Sequence, residues 1–184
     1  MSGLIPHTLK TYLTKKRIGD RIELLAGKLT DRYTGLEDET VFLCVLKGAF
    51  IFSADLVRNI PLNIPLEFCT ARSYGDSMNS DGNVSLSLPP KRVLREKNVV
   101  ILEDIIDTGC TLAVLKDKLK ELGASRVEIC SLLSKPSRRK AKVEIDYLGF
   151  EVPDLFFVGF GLDYAENYRN LDHLAVVIPS KKNS

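Results

Sequence analysis

The stretch from 97 to 134 constrains the fold more than any other part of this chain. Val99, Val100, Ile101 and Leu102 form a short continuous apolar run, the mark of a strand buried on both faces. The polar segment EDIIDTGCT (103–111) reads as a loop. Leu112, Leu115, Leu119 and Leu122 then recur at steps of three and four, which predicts a helix over 111–123 that stops at Gly123. RVEICSLLS (126–134) is a second apolar strand. A strand, a helix and a strand in this order make a βαβ unit, whose crossover is right-handed.

The same alternation continues outside this unit. Ile18, Ile22, Leu25 and Leu29 give one apolar face to a helix over 17–32. VFLCVL (41–46) predicts a strand that ends at Lys47-Gly48, and a helix over 49–60 carries Phe50, Ala54, Leu56 and Val57 before Pro61 stops it. LEFCTARSY (66–74) is a further strand. The polar segment 75–90 holds Val84, Leu86 and Leu88 in alternation, so part of it reads as a β-ribbon. Segments 143–150, 155–161 and 173–178 predict additional strands. Apolar strands alternating with helices imply an α/β fold around a parallel sheet flanked by helices. With 184 residues, against roughly 150 per domain, one domain spanning 1–184 is expected.

Composition removes several classes of function. A net charge of +2, from 26 basic and 24 acidic residues, gives no field for nucleic acid or a membrane surface. No apolar run approaches the roughly 20 residues of a membrane-spanning helix. The start MSGLIPHTLK lacks a basic segment followed by an apolar one, so no secretory signal is expected. Cys44, Cys69, Cys110 and Cys130 are far apart and form no CxxC pair, which argues against a zinc site or a disulfide framework. Three of them sit in apolar runs and read as core residues, whereas Cys110 lies in a polar loop. Free thiols suit a reducing cytoplasm. His7 and His173 are the only histidines, and no Ser-His or Cys-His nucleophile constellation is visible.

Chemistry concentrates in 103–111. Glu103 and Asp104 follow a buried strand, Asp107 comes three positions later, and Thr108, Gly109 and Thr111 open a helix. Ligands of open α/β sheets bind beyond the carboxyl ends of strands, where this loop falls. A Thr-Gly turn entering a helix offers backbone N–H groups and hydroxyls to a phosphate. Two adjacent carboxylates accept hydrogen bonds from a cis-diol. Diol and phosphate together describe a ribose 5-phosphate. The plainer alternative is that Asp107-Thr108-Gly109 caps the helix and that Glu103-Asp104 is a solvated strand end. No GxxxxGK[ST] occurs, and GFG at 159–161 lacks the third glycine of a dinucleotide fingerprint.

VVILEDIIDTGCTL resembles the 5-phosphoribosyl-1-pyrophosphate (PRPP) motif of type I phosphoribosyltransferases. Leu46-Lys47-Gly48, Ser73-Tyr74, Ser131-Leu132-Leu133 leading to Lys135, and Val152-Pro153-Asp154 through Asp163-Tyr164 and Arg169 resemble the 6-oxopurine branch, the hypoxanthine-guanine phosphoribosyltransferases. The resemblance runs from about residue 17 to 178. It implies a core over 17–134, a small hood built from the N-terminus and 135–184, and a mobile loop. The implied reaction passes ribose 5-phosphate from PRPP to N9 of hypoxanthine or guanine, giving IMP or GMP and pyrophosphate.

Roles carry over by the same resemblance. Glu103 and Asp104 would hold the ribose hydroxyls, Asp107 would be the general base at purine N7, and 107–111 (Asp107, Thr108, Gly109, Cys110, Thr111) would hold the 5-phosphate. Lys47, Gly48 and Arg169 would receive pyrophosphate, with the Leu46–Lys47 peptide cis or strained, and Ser73 and Tyr74 would close over it as part of a lid spanning 73–90. Phe156 would stack on the purine, the backbone of Phe157 and Asp163 would read its N1–C2 edge, and Lys135 would donate to the 6-oxo oxygen. Mg²⁺ is implied twice, held largely by substrate oxygens and water, with Glu103, Asp104 and Asp163 as the protein carboxylates involved.

Taken alone, several of these residues also have ordinary readings. Lys47 and Arg169 could be surface cations, Asp163 a turn residue, Phe156 and Phe157 core residues, and Lys135 a charge in the solvated basic turn SKPSRRK. A homodimer or homotetramer is the family's usual state. The rival functions are a xanthine-preferring enzyme and a PRPP-binding regulator of RNA or DNA. The short, separate basic runs at 138–140 and 181–182 argue against the regulator.

Overall fold

The structure is a computed structural model and describes residues 5–73 and 84–180. In chain order its elements are β1 (His7–Leu13), α1 (Lys15–Tyr33), β2 (Thr40–Leu46), α2 (Phe50–Arg58), β3 (Leu66–Ser73), β4 (Val84–Ser87), α3 (Lys91–Leu94), β5 (Asn98–Ile106), α4 (Cys110–Glu121), β6 (Arg126–Ser134), β7 (Tyr147–Glu151), β8 (Phe157–Val158) and β9 (Leu174–Pro179).

Six strands form one sheet in the order β4-β3-β2-β5-β6-β7. All neighbours are parallel except β4, which pairs antiparallel to β3. The interior strands are apolar on both faces because helices cover both. One core cluster joins the α1 and α2 side chains Ile18, Ile22, Leu25, Leu29, Phe52 and Leu56 to Phe42, Val100 and Leu102. The other joins Leu112, Leu115 and Leu119 of α4 to Val41, Leu43, Val99, Ile101 and Ile129. Burying each Leu or Ile contributes roughly 1.5–3 kcal/mol, so these runs hold the sheet in register. The Thr14 side chain accepts a hydrogen bond from the Arg17 N–H and caps α1.

A second sheet of three strands, β1-β9-β8, is antiparallel throughout. It is the hood, and it differs from the sequence reading in two respects. The segments 155–161 and 173–178 join this separate sheet rather than the parallel one, and only Phe157–Val158 of the former is a strand. The N-terminal strand β1, absent from that reading, pairs with β9. Likewise, 143–150 yields a strand only at Tyr147–Glu151; Val143 and Ile145 pack against the α4 side of the core without joining the sheet.

Strand order places the cleft. From β2 the chain crosses to β3 on one side, and from β5 it crosses to β6 on the other, so the order reverses between β2 and β5. Crevices of open α/β sheets open at such a reversal, at the carboxyl ends of the strands. Pairing of β2 with β5 stops at Cys44 and Leu102, while β5 continues beside β6 to Ile106. The far end of β5 thus has one free edge facing the gap.

Candidate active site

Glu103 and Asp104 lie inside β5, not in a loop beyond it: the strand predicted to end at Leu102 runs on to Ile106. Glu103 pairs with Ser131 and Ile105 with Leu133 on β6, which keeps the backbone extended through the acids. Successive strand residues point to opposite faces, and the two carboxylates line different lobes of one cleft. The first lobe, a cavity of ≈ 210 Å³, is lined by Glu103, Asp107, Thr108, Gly109 and Thr111, with Leu46 and Gly48 at its other wall. The second, ≈ 280 Å³, shares Leu46 and Gly48 and adds Lys47, Asp104, Asp163 and Arg169. Residues from four distant segments therefore converge where the strand order reverses.

The floor between the lobes is tight. The Leu46–Lys47 peptide is cis, as the resemblance implied. A side chain at Gly48 would collide with the Asp104 carboxylate, and one at Gly161 with the Gly48 carbonyl oxygen. Only glycine fits this stack of Asp104, Gly48 and Gly161.

Asp104 is 7% exposed, and its Oδ1 accepts the Ile105 N–H at 2.8 Å. Burial, then repulsion from Asp104, pushes the Glu103 carboxyl well above the usual carboxylate range. Asp104 is raised as well, mainly by burial; its bonds and the charge of Arg169 oppose the rise. Desolvated acids with few donors of their own are poised to take donors from a ligand.

In the first lobe, Gly109 stands at the N-cap of α4 with φ +79° and contributes no side chain to the first turn. The Thr108 hydroxyl reaches the Cys110 N–H only at 3.4 Å. Asp107 does not cap the helix either. Its Oδ1 accepts from Arg138 Nε at 3.0 Å. The capping alternative thus leaves the acid unexplained. Cys110 is exposed and starts α4, whereas Cys44, Cys69 and Cys130 are buried free thiols.

The basic turn after β6 is where the sequence reading fell short. Its ordinary alternative, a solvated turn, does not hold, because the segment packs on the loop at 107–111. Lys140 and Ala141 N–H groups donate to the Thr108 carbonyl at 2.9 and 3.1 Å. Arg139 Nη2 donates to the Ser134 hydroxyl at 2.7 Å, and its side chain runs beside Gly109. Arg138 links Asp107 to Asp154, which also faces Lys135 at 3.6 Å. No sequence pattern marks this network, because Asp107, Lys135, Arg138 and Asp154 are brought together only by the fold.

On the hood side, Phe156 is 53% exposed and Phe157 5% exposed, so one aromatic is free for a ligand and the other belongs to the core. Tyr164 meets Phe156 edge-on at 5.3 Å. Lys135 is 9% exposed, with Nζ 5.7 Å from the Phe157 ring centre. Arg169 Nη2 pairs with Asp163 at 2.8 Å, and its Nη1 donates to the Gly161 carbonyl at 2.8 Å. The backbone of Ser73 pairs with Val84 at the end of β3. Of the lid predicted over 73–90, Tyr74 and the rest of 74–83 lie outside the described residues, while Val84–Ser87 forms the β-ribbon strand that the alternation predicted. Among the described residues, no group of three or more His, Cys, Asp or Glu side chains could enclose a metal ion by itself. No described helix is long and apolar enough to cross a membrane.

A family model described as phosphoribosyl transferase domain matches residues 8–165. The chain belongs to this family. A hypoxanthine phosphoribosyltransferase of Escherichia coli K12 is 38% identical over 172 residues, covering 94% of this chain and 97% of that protein. A hypoxanthine-guanine phosphoribosyltransferase of Bacillus subtilis is 39% identical over 171 residues, covering 93% and 94%. Among solved structures, a hypoxanthine-guanine phosphoribosyltransferase of Bacillus anthracis, crystallised with HEPES in its active site, superposes with a TM-score of 0.85 at 37% identity. It covers 95% of this chain and 100% of that one. The α/β fold and the phosphoribosyltransferase activity read from the motifs stand with these relatives.

Proposed function

We propose that this phosphoribosyltransferase makes IMP or GMP from PRPP and hypoxanthine or guanine, as a purine-salvage enzyme. The reading rests on one observation above the others: the acids of β5, the open start of α4 and the cations at 47 and 169 meet in one two-lobed cleft. The printed activities of its relatives support the choice of purine.

In this reading the 5-phosphate lies on the backbone of 107–111, and Glu103 and Asp104 accept from the ribose hydroxyls. Pyrophosphate sits in the second lobe against Lys47, Gly48 and Arg169. Breaking the anomeric bond leaves positive charge on the sugar, so positioning and charge stabilisation carry the catalysis. Asp107 takes the proton released from the purine. Lys135 donates to the 6-oxo oxygen; an ammonium group has donors only and cannot pair with the 6-amino group of adenine. Phe156 offers its exposed face to the purine ring.

Magnesium would fit here on one or two carboxylates, Asp104 and Asp163, with substrate oxygens and water completing its shell. It would neutralise diphosphate charge. A homodimer or homotetramer, the usual state of the family, belongs to the same reading. Four unpaired thiols suit work in the cytoplasm.

The test is direct: incubate the protein with PRPP, Mg²⁺ and, separately, hypoxanthine, guanine, xanthine or adenine, and follow nucleotide formation. Hypoxanthine and guanine should react and adenine should not. Turnover of adenine or xanthine alone would overturn the assignment.

A further inference from the structure

Two cations that line the second lobe, Lys47 and Arg169, contact an acid that the pyrophosphate reading does not use. Glu166 Oε2 lies 3.0 Å from Lys47 Nζ and 3.3 Å from Arg169 Nη2. One carboxylate oxygen thus bridges the two cations assigned to the diphosphate. The Glu166 carboxyl is held below its usual range, first by its bond to Lys47 and then by that to Arg169.

The backbone that carries it is unusual. Tyr164 and Asn167 exchange two hydrogen bonds of 3.1 Å each, closing a two-residue hairpin turn. Its central residues, Ala165 and Glu166, have φ of +49° and +64°. Positive φ at both central positions belongs to the I′ turn, which usually takes Asn-Gly. Two L residues with side chains are strained there, and such strain persists where the surroundings impose it, most often at functional sites. Asp163 Oδ2 holds the turn by accepting the Glu166 N–H at 2.8 Å. Nothing about turn geometry requires an acid at 166. What the arrangement achieves is a carboxylate held over Lys47 and Arg169.

Building on the proposed function, we propose that Glu166 is an internal competitor for the diphosphate: it occupies Lys47 and Arg169 in the empty enzyme, yields them to the pyrophosphate group of PRPP, and retakes them as pyrophosphate leaves. The residue is a positioning group that tunes PRPP and pyrophosphate affinity without touching the purine. Exposed ion pairs are weak, so the competition is easily reversed, as a turnover step requires.

The experiment compares wild type with Glu166→Gln, measuring Mg-pyrophosphate binding by calorimetry and the KM values for PRPP and hypoxanthine. Removing a weakly paired competitor should tighten pyrophosphate and lower KM for PRPP roughly three- to tenfold. KM for hypoxanthine should stay within about twofold, since weak exposed charges act only locally. A double variant, Ala165→Asn with Glu166→Gly, suits the I′ turn and should tighten pyrophosphate to the same degree. Unchanged or weaker pyrophosphate binding in both variants would overturn the proposal and show that Glu166 preorganises the cations instead. A wild type that binds neither PRPP nor pyrophosphate would sink the proposed function itself, and the competitor with it.

Discussion

Two neighbouring strands of the parallel sheet each bury an acid, Asp104 on β5 and Glu128 on β6, and the two are treated in opposite ways. On β6, Glu128 is 6% exposed and fully partnered. It accepts from the hydroxyls of Tyr33 at 2.6 Å and Tyr147 at 3.0 Å, and pairs with Arg126 at 2.9 Å. It thereby ties the end of α1 to β6 and β7. Burial and the bond to Glu128 push the Tyr33 hydroxyl far above its usual range, so it stays a donor at any ordinary pH. On β5, Glu103 and Asp104 repel each other and are raised by burial. The partnered acid is architecture. In the proposed reading the under-partnered pair is a binding site whose missing donors come from the ligand.

The largest effect should follow from neutralising the pair. Glu103→Gln with Asp104→Asn should weaken PRPP binding by about 100-fold or more, since hydrogen bonds to charged groups contribute about 1.5–3 kcal/mol each. The same variant should make the empty protein more stable. A carboxyl whose folded-state pKa is raised stabilises the fold fully below its ordinary pKa, and that contribution is lost as pH rises through the raised value. Wild-type stability should therefore fall as pH rises above the ordinary carboxylate range, and the variant should not share that fall. At neutral pH its Tm should exceed wild type by about 2–5 °C. Calorimetry across pH 4–9, in the absence of ligand, checks both statements. A variant less stable than wild type at neutral pH would erase the contrast between the strands.

Glu128 should behave in reverse. Glu128→Leu leaves the buried Tyr33 hydroxyl and the half-buried Tyr147 hydroxyl without this acceptor and should cost roughly 2–4 kcal/mol in denaturant unfolding. Below the melting transition, KM for PRPP and hypoxanthine should be within about twofold of wild type, since distant sites couple weakly. Tyr147→Phe removes one bond of this set and should cost only about 1 kcal/mol. A marked kinetic effect from either change would mean that Glu128 also serves the site.

Much of this was legible because burial writes itself into sequence as apolar runs. The strand at 126–134 and the helix around Ile18, Ile22, Leu25 and Leu29 sit where they were expected. β5 was read too short because Glu103 and Asp104 broke the apolar run, and an apolar run reports burial rather than extended backbone. β1 escaped for a related reason: its side chains are mostly exposed, so HTLKTYL has no buried face to announce it. Its hydrogen bonds go to β9, at the far end of the chain. The residues of the cleft were found through the motif at 99–112 and the family resemblance, not through periodicity. Arg138 and Glu166 were missed because a charge in a turn looks solvated until the fold supplies its partner.

The most direct measurement is a crystal structure with IMP bound. The 5-phosphate should rest on the N–H groups of 107–111, and the ribose hydroxyls should lie within hydrogen-bond distance of Glu103 and Asp104. A nucleotide bound outside the gap between β2 and β5, with those two acids untouched, would contradict the account.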